Sequence, residues 1–174
     1  MHDIRLIRDN PAAFDAALAR RGHAAMADTI VVMNRGRIEQ AGPPLRLYGD
    51  PDNAFVAGFV GTPEMNLLEG TVAEGGVRAD AGPRLPLPPV QPPADGRRVL
   101  YGIRPQDVEI RPEGLEAVVE LVEPTGDAQE VALRAGGAAL TMLLHGTRPL
   151  APGDRVAIGF DPARASFVDL HDRP

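Results

Sequence analysis

Proline and glycine occur throughout this chain densely enough to decide its fold class. The 174 residues include 18 Pro and 19 Gly, roughly a fifth of the chain and well above average usage. Proline removes a helical hydrogen bond and glycine weakens a helix, so we expect no long helix after the first few dozen residues. Short apolar or alternating runs between these breakers predict strands joined by turns. The sequence therefore predicts a mainly β protein.

A few short elements are expected before the β region begins. Residues 10–22 predict a helix, with Asn10 as its N-cap and Pro11 at the first helical position. Next comes a hairpin whose turn is Asn34-Arg35-Gly36. The remaining elements are strands over 29–33 and 37–40, one or two helical turns over 44–48, and a short helix over 54–60 capped by Asp52 or Asn53. In that last helix we expect Phe55, Val56 and Phe59 on one side.

From Met65 onward the pattern is that of strands. Gly/Pro turns recur every 8–15 residues, which predicts a small sandwich or barrel. The proline-rich segment 83–93 is expected to be extended or loop-like, and by composition 115–122 could also form a helix. The expected strands cover residues 66–72, 77–80, 99–103, 108–111, 115–122, 129–134, 138–144, 155–160 and 166–169.

Composition excludes several kinds of function. The net charge is −6, all 18 cationic residues are arginine, and aromatic residues make up only 4%, so nucleic acid is not an expected partner. Cysteine is absent, which rules out disulfides, thiolate catalysis and cysteine-bound zinc. No apolar run approaches the length of a membrane span, and the N-terminus is too charged for a signal peptide. We expect a cytoplasmic protein with no direct membrane insertion.

Two groups of motifs resemble one protein family. The first group is Asp28 to Gly42, Pro44 to Tyr48, Asp50-Pro51 and Phe55 to Gly61. It resembles the end of the ATP-binding domain of ABC importers for sugars and glycerol 3-phosphate. The second group resembles the C-terminal TOBE domain of the same proteins. Its members are Met65-Asn66 with the strand to Val72, Gly102-Ile103-Arg104-Pro105 with Asp107, Val119 through Glu123 to Gly126, Gly153-Asp154-Arg155-Val156, and Gly159-Phe160-Asp161-Pro162.

This resemblance, over residues 24–170, implies a fold and a set of partners. The expected fold class is mainly β: a small OB-like β-barrel (TOBE) preceded by an N-terminal helix, a hairpin and short helices. In the family this domain assists dimerisation of the ATP-binding subunits and receives regulatory proteins, and the subunits bind the permease. The resemblance therefore implies a homodimer, permease subunits and regulatory proteins as partners, with the parent complex at the inner membrane.

The first 22 residues resemble a different family, the extreme N-terminus of bacterial seryl-tRNA synthetases. The coiled-coil arm and the class II motifs of those enzymes are absent from the rest of the chain. The two resemblances together imply a chimeric chain joined near residues 22–26. The expected domains are a synthetase-like helix over 1–22, a remnant of the ATP-binding domain over 23–63 and the TOBE barrel over 64–174.

The ATP site of the parent family is not expected here. A phosphate loop requires a lysine beside its glycines, and these 174 residues contain none. The signature loop is missing as well. His23 lies near the position of the family's switch histidine, but the Asp-Gln that follows it in the family is absent and its spacing to Asp28 is too short. We expect no catalytic residue, no bound metal and no cofactor, although the parent family uses ATP and Mg²⁺.

Four residues are candidates for contact with a ligand or partner: Arg104, Thr125, Thr141 and Arg148. Before Arg104, Gly102 indicates a close approach to the backbone. Arg104 can hold an anion or a partner carboxylate, or it can pair within the fold with Asp107 or Glu109. Pro124 to Asp127 can form an anion-binding nest or a plain turn. The favoured function is a non-catalytic regulatory and dimerisation domain. The alternative is a TOBE module that senses a small oxyanion or another small ligand.

Overall fold

The computed structural model describes residues 29–89 and 92–168. The predicted helix over 10–22, together with His23 and Asp169, lies outside the described residues. The chain divides into two compact units, residues 1–52 and 53–174. The second unit begins about ten residues before the predicted start of the barrel domain, and it is the unit that contains the candidate site.

The described part of the first unit is a hairpin followed by a short helix. Strand β1 (Ile30–Asn34) pairs antiparallel with β2 (Arg37–Gly42), and α1 (Pro44–Gly49) follows. The turn uses left-handed backbone at both central residues, with φ of 47° at Arg35 and 81° at Gly36, as a two-residue hairpin turn requires. The predicted hairpin is confirmed, and β2 extends two residues further than expected.

A buried glutamine holds the hairpin to the end of α1. The Gln40 side chain donates to the carbonyl oxygen of Asp50 at 3.0 Å and accepts from the backbone N–H of Asp52 at 3.1 Å. Both groups of the amide are thereby used, which is the condition for burying it without a large cost. Val32, directly opposite Gln40 in the hairpin, and Leu47 of α1 are also buried.

The second unit begins with a short helix and continues as strands. Two 3₁₀ turns interrupt the β region, at Pro105–Asp107 and Pro162–Arg164. The elements are α2 (Ala54–Phe59), β3 (Asn66–Ala73), β4 (Gly76–Ala79), β5 (Arg84–Pro86), β6 (Arg98–Ile103), β7 (Glu109–Pro124), β8 (Ala128–Ala135), β9 (Ala138–His145), β10 (Arg155–Gly159) and β11 (Ser166–Val168).

These strands form two antiparallel sheets with one core between them. The five-stranded sheet has the order β11-β6-β3-β4-β5 and the four-stranded sheet the order β10-β7-β8-β9. Alternate side chains of both sheets point inward, as the two-residue period of a strand dictates. The core includes Leu68, Val72, Val77, Leu85, Tyr101 and Ile103 from the first sheet and Val119, Val131, Leu133, Met142 and Ile158 from the second. The predicted mainly β fold is confirmed.

Tyr101 is the large aromatic residue at the centre of this core. Its ring contacts Phe167 edge-on, with centroids 5.3 Å apart, and lies 6.0 Å from the ring of Phe160. Its hydroxyl donates to the carbonyl oxygen of Pro86 at 3.0 Å, so the buried phenol is satisfied. Burial raises the pKa of Tyr101, and the phenol stays neutral.

Two local expectations were wrong, and a third is confirmed in its extended form. The strands expected over 108–111 and 115–122 are one strand, β7, and 115–122 is not a helix. Part of the proline-rich segment, Arg84–Pro86, is extended as expected, and it pairs with β4 as β5. Helix α2 buries Val56 and Ala57, whereas Phe59 is 67% exposed, although the sequence pattern placed Phe59 with Val56 on one apolar side.

Gly114 permits the continuous course of β7. Between Glu109–Ile110 and Glu116–Val118, which both pair with β10, the strand bulges. A Cβ built on Gly114 would lie 2.2 Å from the carbonyl oxygen of Ile158. No side chain fits at that distance, so the bulge can approach β10 only through a glycine.

We predict that Gly114→Ala lowers the free energy of unfolding by about 1–3 kcal/mol, because the backbone must move to admit the methyl group. The matched control is Gly58→Ala, since a Cβ at Gly58 in α2 meets nothing within 4 Å. Alanine favours a helix over glycine by up to about 1 kcal/mol, so the control should be neutral or stabilising. Urea unfolding of both variants measures the difference, and equal stabilities would contradict the prediction.

Candidate interaction site

Arg104 fastens α2 to the end of β6. Asn53 begins the helix by accepting the backbone N–H of Val56 at 2.9 Å, and Arg104 closes its C-terminal end. The Nη1 group of Arg104 donates to the carbonyl oxygens of Ala57, at 3.1 Å, and Val60. A guanidinium at a helix C-terminus meets carbonyls that have no helical partner. The side chain is only 3% exposed, so this charge serves the fold rather than a bulk-solvent ligand.

Helix α2 and the segment after it pack on the outer face of the five-stranded sheet. Ala57, Met65, Leu100 and Val168 form a small buried cluster there. A Cβ on Gly102 would lie 2.5 Å from the sulfur of Met65. The close approach that the sequence predicted at Gly102 is therefore confirmed, and its partner is the Met65 side chain.

Asn66 joins the two sheets where β9 forms an edge. Its amide nitrogen donates to the carbonyl oxygen of Thr141 at 2.8 Å, and its amide oxygen accepts the backbone N–H of Thr141 at 2.6 Å. The carboxamide thus pairs with β9 as a neighbouring strand would, covering groups that an edge strand otherwise leaves open.

A groove of about 720 Å³ lies beside this junction. Helix α2 contributes the exposed ring of Phe59, which stacks on Phe55 with ring centroids 5.6 Å apart. Thr141 and Ala139 of β9 form the opposite wall, and Glu64 and Glu130 supply negative charge. An aromatic rim beside carboxylates suits contact with a polypeptide more than with an oxyanion, which the carboxylates would repel.

The groove continues onto the outer face of the four-stranded sheet. A register shift between Val119 and Leu121 lets both Val118 and Leu121 face outward, opposite Arg134 and Ala132 of β8. We call the outward-facing set Val118, Leu121, Ala132, Ala139 and Thr141 the outer sheet face; Ala132 and Thr141 are half-buried and the other three are exposed. Val118 is 36% and Leu121 48% exposed. Beside them Glu120 binds Arg134 with two contacts of 2.9 and 3.1 Å.

The 3₁₀ turn after Arg104 places Asp107 among several charges. Partial burial raises the pKa of the Asp107 carboxyl, while Arg164 and Arg104 act in the opposite direction. Asp161 and Glu109 add to the rise through their negative charges. The Arg104 hydrogen bonds described above go to carbonyl oxygens at the end of α2, and its charge in addition favours ionised Asp107.

The other motif positions shape turns and the core. Asp161 caps the second 3₁₀ turn, where Pro162 occupies the first position, by accepting the backbone N–H of Ala163 at 2.9 Å. Gly153 has a φ of 96° and donates to Val119, and Asp154 accepts the backbone N–H of Ala151 at 2.8 Å. Phe160 and Ile103 are buried in the core.

The turn between β7 and β8 has the geometry of a tight turn. The backbone N–H of Thr125 donates to the carbonyl oxygen of Ala128 at 2.8 Å, and Gly126 has a φ of 81°. Glu123 is exposed nearby in β7. Arg148 is exposed after β9, and its backbone N–H donates to the side chain of Gln129 at 2.7 Å.

The four candidate contact residues therefore occupy different places. Thr141 lines the groove, Arg104 caps α2, Thr125 lies in the β7–β8 turn and Arg148 follows β9. Residues 29–89 and 92–168 hold no cluster of three or more acidic or histidine side chains placed to bind a metal ion. Within the same residues, no helix is long and apolar enough to cross a membrane.

Sequence reasoning missed the role of Asn66. An amide at the first position of an apolar strand is an available signal, because a buried polar side chain requires partners. Its partner, Thr141, is 75 residues away, and no local pattern identifies it.

Comparison with known families identifies the domains of this unit. The MalK OB fold domain matches residues 61–108, and the TOBE domain matches residues 101–168. Together the two matches cover every strand from β3 to β11. The chain therefore belongs, over these residues, to the OB-fold and TOBE domains of sugar-type ABC importer ATP-binding proteins.

Individual relatives agree with this assignment. An ABC transporter ATP-binding protein of Sinorhizobium fredii is 43% identical over 139 residues, 75% of this chain and 36% of that protein. An sn-glycerol-3-phosphate import ATP-binding protein of Chromobacterium violaceum is 39% identical, over 84% of this chain and 40% of its own length. A trehalose/maltose import ATP-binding protein of Thermococcus litoralis is 37% identical, over 83% and 43%. The chain thus spans about two fifths of each relative's length.

We predict that Asn66→Ala destabilises the second unit by about 1–3 kcal/mol, because it leaves backbone groups of the β9 edge without their partner. The control is Thr141→Val, which alters the side chain but keeps the backbone groups that Asn66 contacts. Thermal unfolding compares the two. A loss for Thr141→Val as large as that for Asn66→Ala would show that the backbone contact is not what stabilises the junction.

Proposed function

We propose that this chain is a non-catalytic regulatory and dimerisation module of the kind that forms the C-terminal part of ABC importer ATP-binding subunits. The observation that carries the proposal is the pair of adjoining family matches over residues 61–168. The names of the relatives favour an importer of carbohydrates or of glycerol 3-phosphate. The partners proposed from these names are the permease subunits and regulatory proteins of such an importer, at the cytoplasmic face of the inner membrane.

The non-catalytic part of the proposal rests on the residue inventory. In a phosphate loop a lysine binds the outer phosphates of ATP, and none of the 174 residues is lysine. The groove near Asn66 presents two carboxylates instead of cations. The division into a synthetase-like segment, an ATP-binding-domain remnant and a barrel domain, and the chimeric origin, remain proposals of the same kind.

We predict that the purified chain releases phosphate from Mg²⁺–ATP no faster than a mock purification does. A coupled phosphate-release assay over a range of ATP concentrations measures this. Saturable turnover that coelutes with the chain and exceeds the mock preparation would contradict the non-catalytic assignment.

The outer sheet face supports the dimerisation part of the proposal. Val118 and Leu121 are exposed apolar side chains in the middle of a sheet, and Ala132 lies directly opposite Leu121. The Glu120–Arg134 pair lies within this face, because Arg134 is directly opposite Val118 and Ala139. Exposed apolar side chains beside a paired charge are typical of a protein–protein interface. A two-fold axis through this face would bury the same residues of both copies.

We predict that the chain has twice its 18.5 kDa monomer mass by light scattering, and that Leu121→Asp shifts it to the monomer mass. A carboxylate in the buried centre of the interface loses its hydration without gaining a partner, and the desolvation free energy opposes dimerisation. The control is Leu45→Asp, because Leu45 is 86% exposed and belongs to the first unit. A wild-type monomer at every concentration, or a Leu121→Asp dimer, would contradict this interface.

The oxyanion-sensing alternative has weaker support. Arg104 is buried under α2 and Thr141 lies beside Glu64 and Glu130. Neither position offers a converging set of donors for an oxyanion. Oxyanion contact by Arg104, Thr125, Thr141 or Arg148 remains a prediction, which a titration with molybdate, sulfate or phosphate can test.

A further inference from the structure

A second cavity of about 350 Å³ opens where β5, the bulge of β7 and the end of β10 meet. We call it the barrel-mouth pocket. Its floor is apolar and includes core residues, and its volume is at the low end of the range of about 300–1,000 Å³ for small-molecule sites. The apolar lining consists of Leu85, Pro86, Leu115, Ile158 and Phe160.

Arg111 forms one wall of this pocket, and some of its N–H donors are available for a further acceptor. Its side chain crosses Gly159, where a Cβ would lie 2.7 Å from the Arg111 Cδ and 3.2 Å from Nε. The Nη2 group contacts a carboxylate oxygen of Glu109 at a long 3.4 Å. Within residues 29–89 and 92–168, neither Nε nor Nη1 of Arg111 has an acceptor. Gly159 therefore makes room for a guanidinium that keeps donors available.

Arg84 adds a second positive charge to the lining. It is held in place by the carboxylate of Glu74 at 3.1 Å and by the carbonyl oxygen of the same residue. Glu113 is the acid among the lining residues and is exposed to solvent. The pocket lining thus holds two arginines and one acid around an apolar floor, while Glu74 and Glu109 pair with the two arginines from outside the lining.

We propose that the barrel-mouth pocket binds a small organic carboxylate with an apolar body. The body packs on Leu85, Ile158 and Phe160, and the carboxylate accepts charge-assisted hydrogen bonds from Arg111, which are stronger than those between neutral groups. Arg84 contributes attraction without direct contact. This site is separate from the outer sheet face and goes beyond the proposed regulatory function.

Calorimetric titration of the full chain tests the proposal with three probes at constant ionic strength. Benzoate carries both the apolar body and the charge, benzyl alcohol has the body alone, and acetate has the charge with almost no body. We expect saturable 1:1 binding of benzoate and at least tenfold weaker binding of the other two. Absence of benzoate binding, or equal binding of benzyl alcohol, would overturn the proposal.

Variants locate the site. Arg111→Gln should weaken benzoate binding about tenfold or more, the range expected for a hydrogen bond to a charged group. The matched control is Arg155→Gln, on β10 but outside the pocket, which should bind as the wild type does. Glu109→Gln removes the competing carboxylate of an exposed residue and should tighten binding about two- to fivefold. Unchanged affinity in both Arg111→Gln and Glu109→Gln, or equal loss in Arg155→Gln, would overturn the assignment.

Discussion

Two hydrogen bonds between the Asn66 carboxamide and the backbone of Thr141 join the two sheets at the β9 edge. Strand β9 is the last strand of its sheet, whereas β3 lies inside the other sheet. An amide side chain carries an NH₂ donor group and a carbonyl acceptor side by side, so it can pair with a strand as a peptide group does. The inner faces of both strands contribute to a common core, which requires the two sheets to stay together at this edge.

Arg104 has the equivalent role for the segment that precedes the barrel. Because its guanidinium binds the last carbonyls of α2, the helix is part of the compact unit that starts at Asn53. Met65 then packs against Gly102 on the same outer face. The matched OB-fold domain begins at residue 61, whereas the compact unit begins at Asn53. The difference between the two starting points is the short helix α2.

Local chemistry made most of the fold predictable, and long-range pairing limited the rest. The Arg35-Gly36 turn, the Asn53 cap and the alternating strands each follow from a few neighbouring residues, and the structure confirms them. Glycine at 102 correctly indicated a close contact without naming Met65. The single long strand β7 was not predicted, because Pro112 and Gly114 indicate the end of a strand when only neighbouring residues are considered. Only the pairing with β10, where Gly114 faces the Ile158 carbonyl, shows why the strand continues.

The same distinction applies to anion binding. Arginine and threonine beside turns are reasonable candidates in a sequence, yet Arg104, Thr125, Thr141 and Arg148 are distributed over the barrel. A binding site requires convergence and accessible space as well as residue type. Arg111 meets both conditions only because Gly159, on a different strand 48 positions later, leaves room beneath its side chain. Glycine disfavours helices in this chain, and it also leaves space between neighbouring strands. At Gly159 that space holds the Arg111 guanidinium beside an apolar pocket.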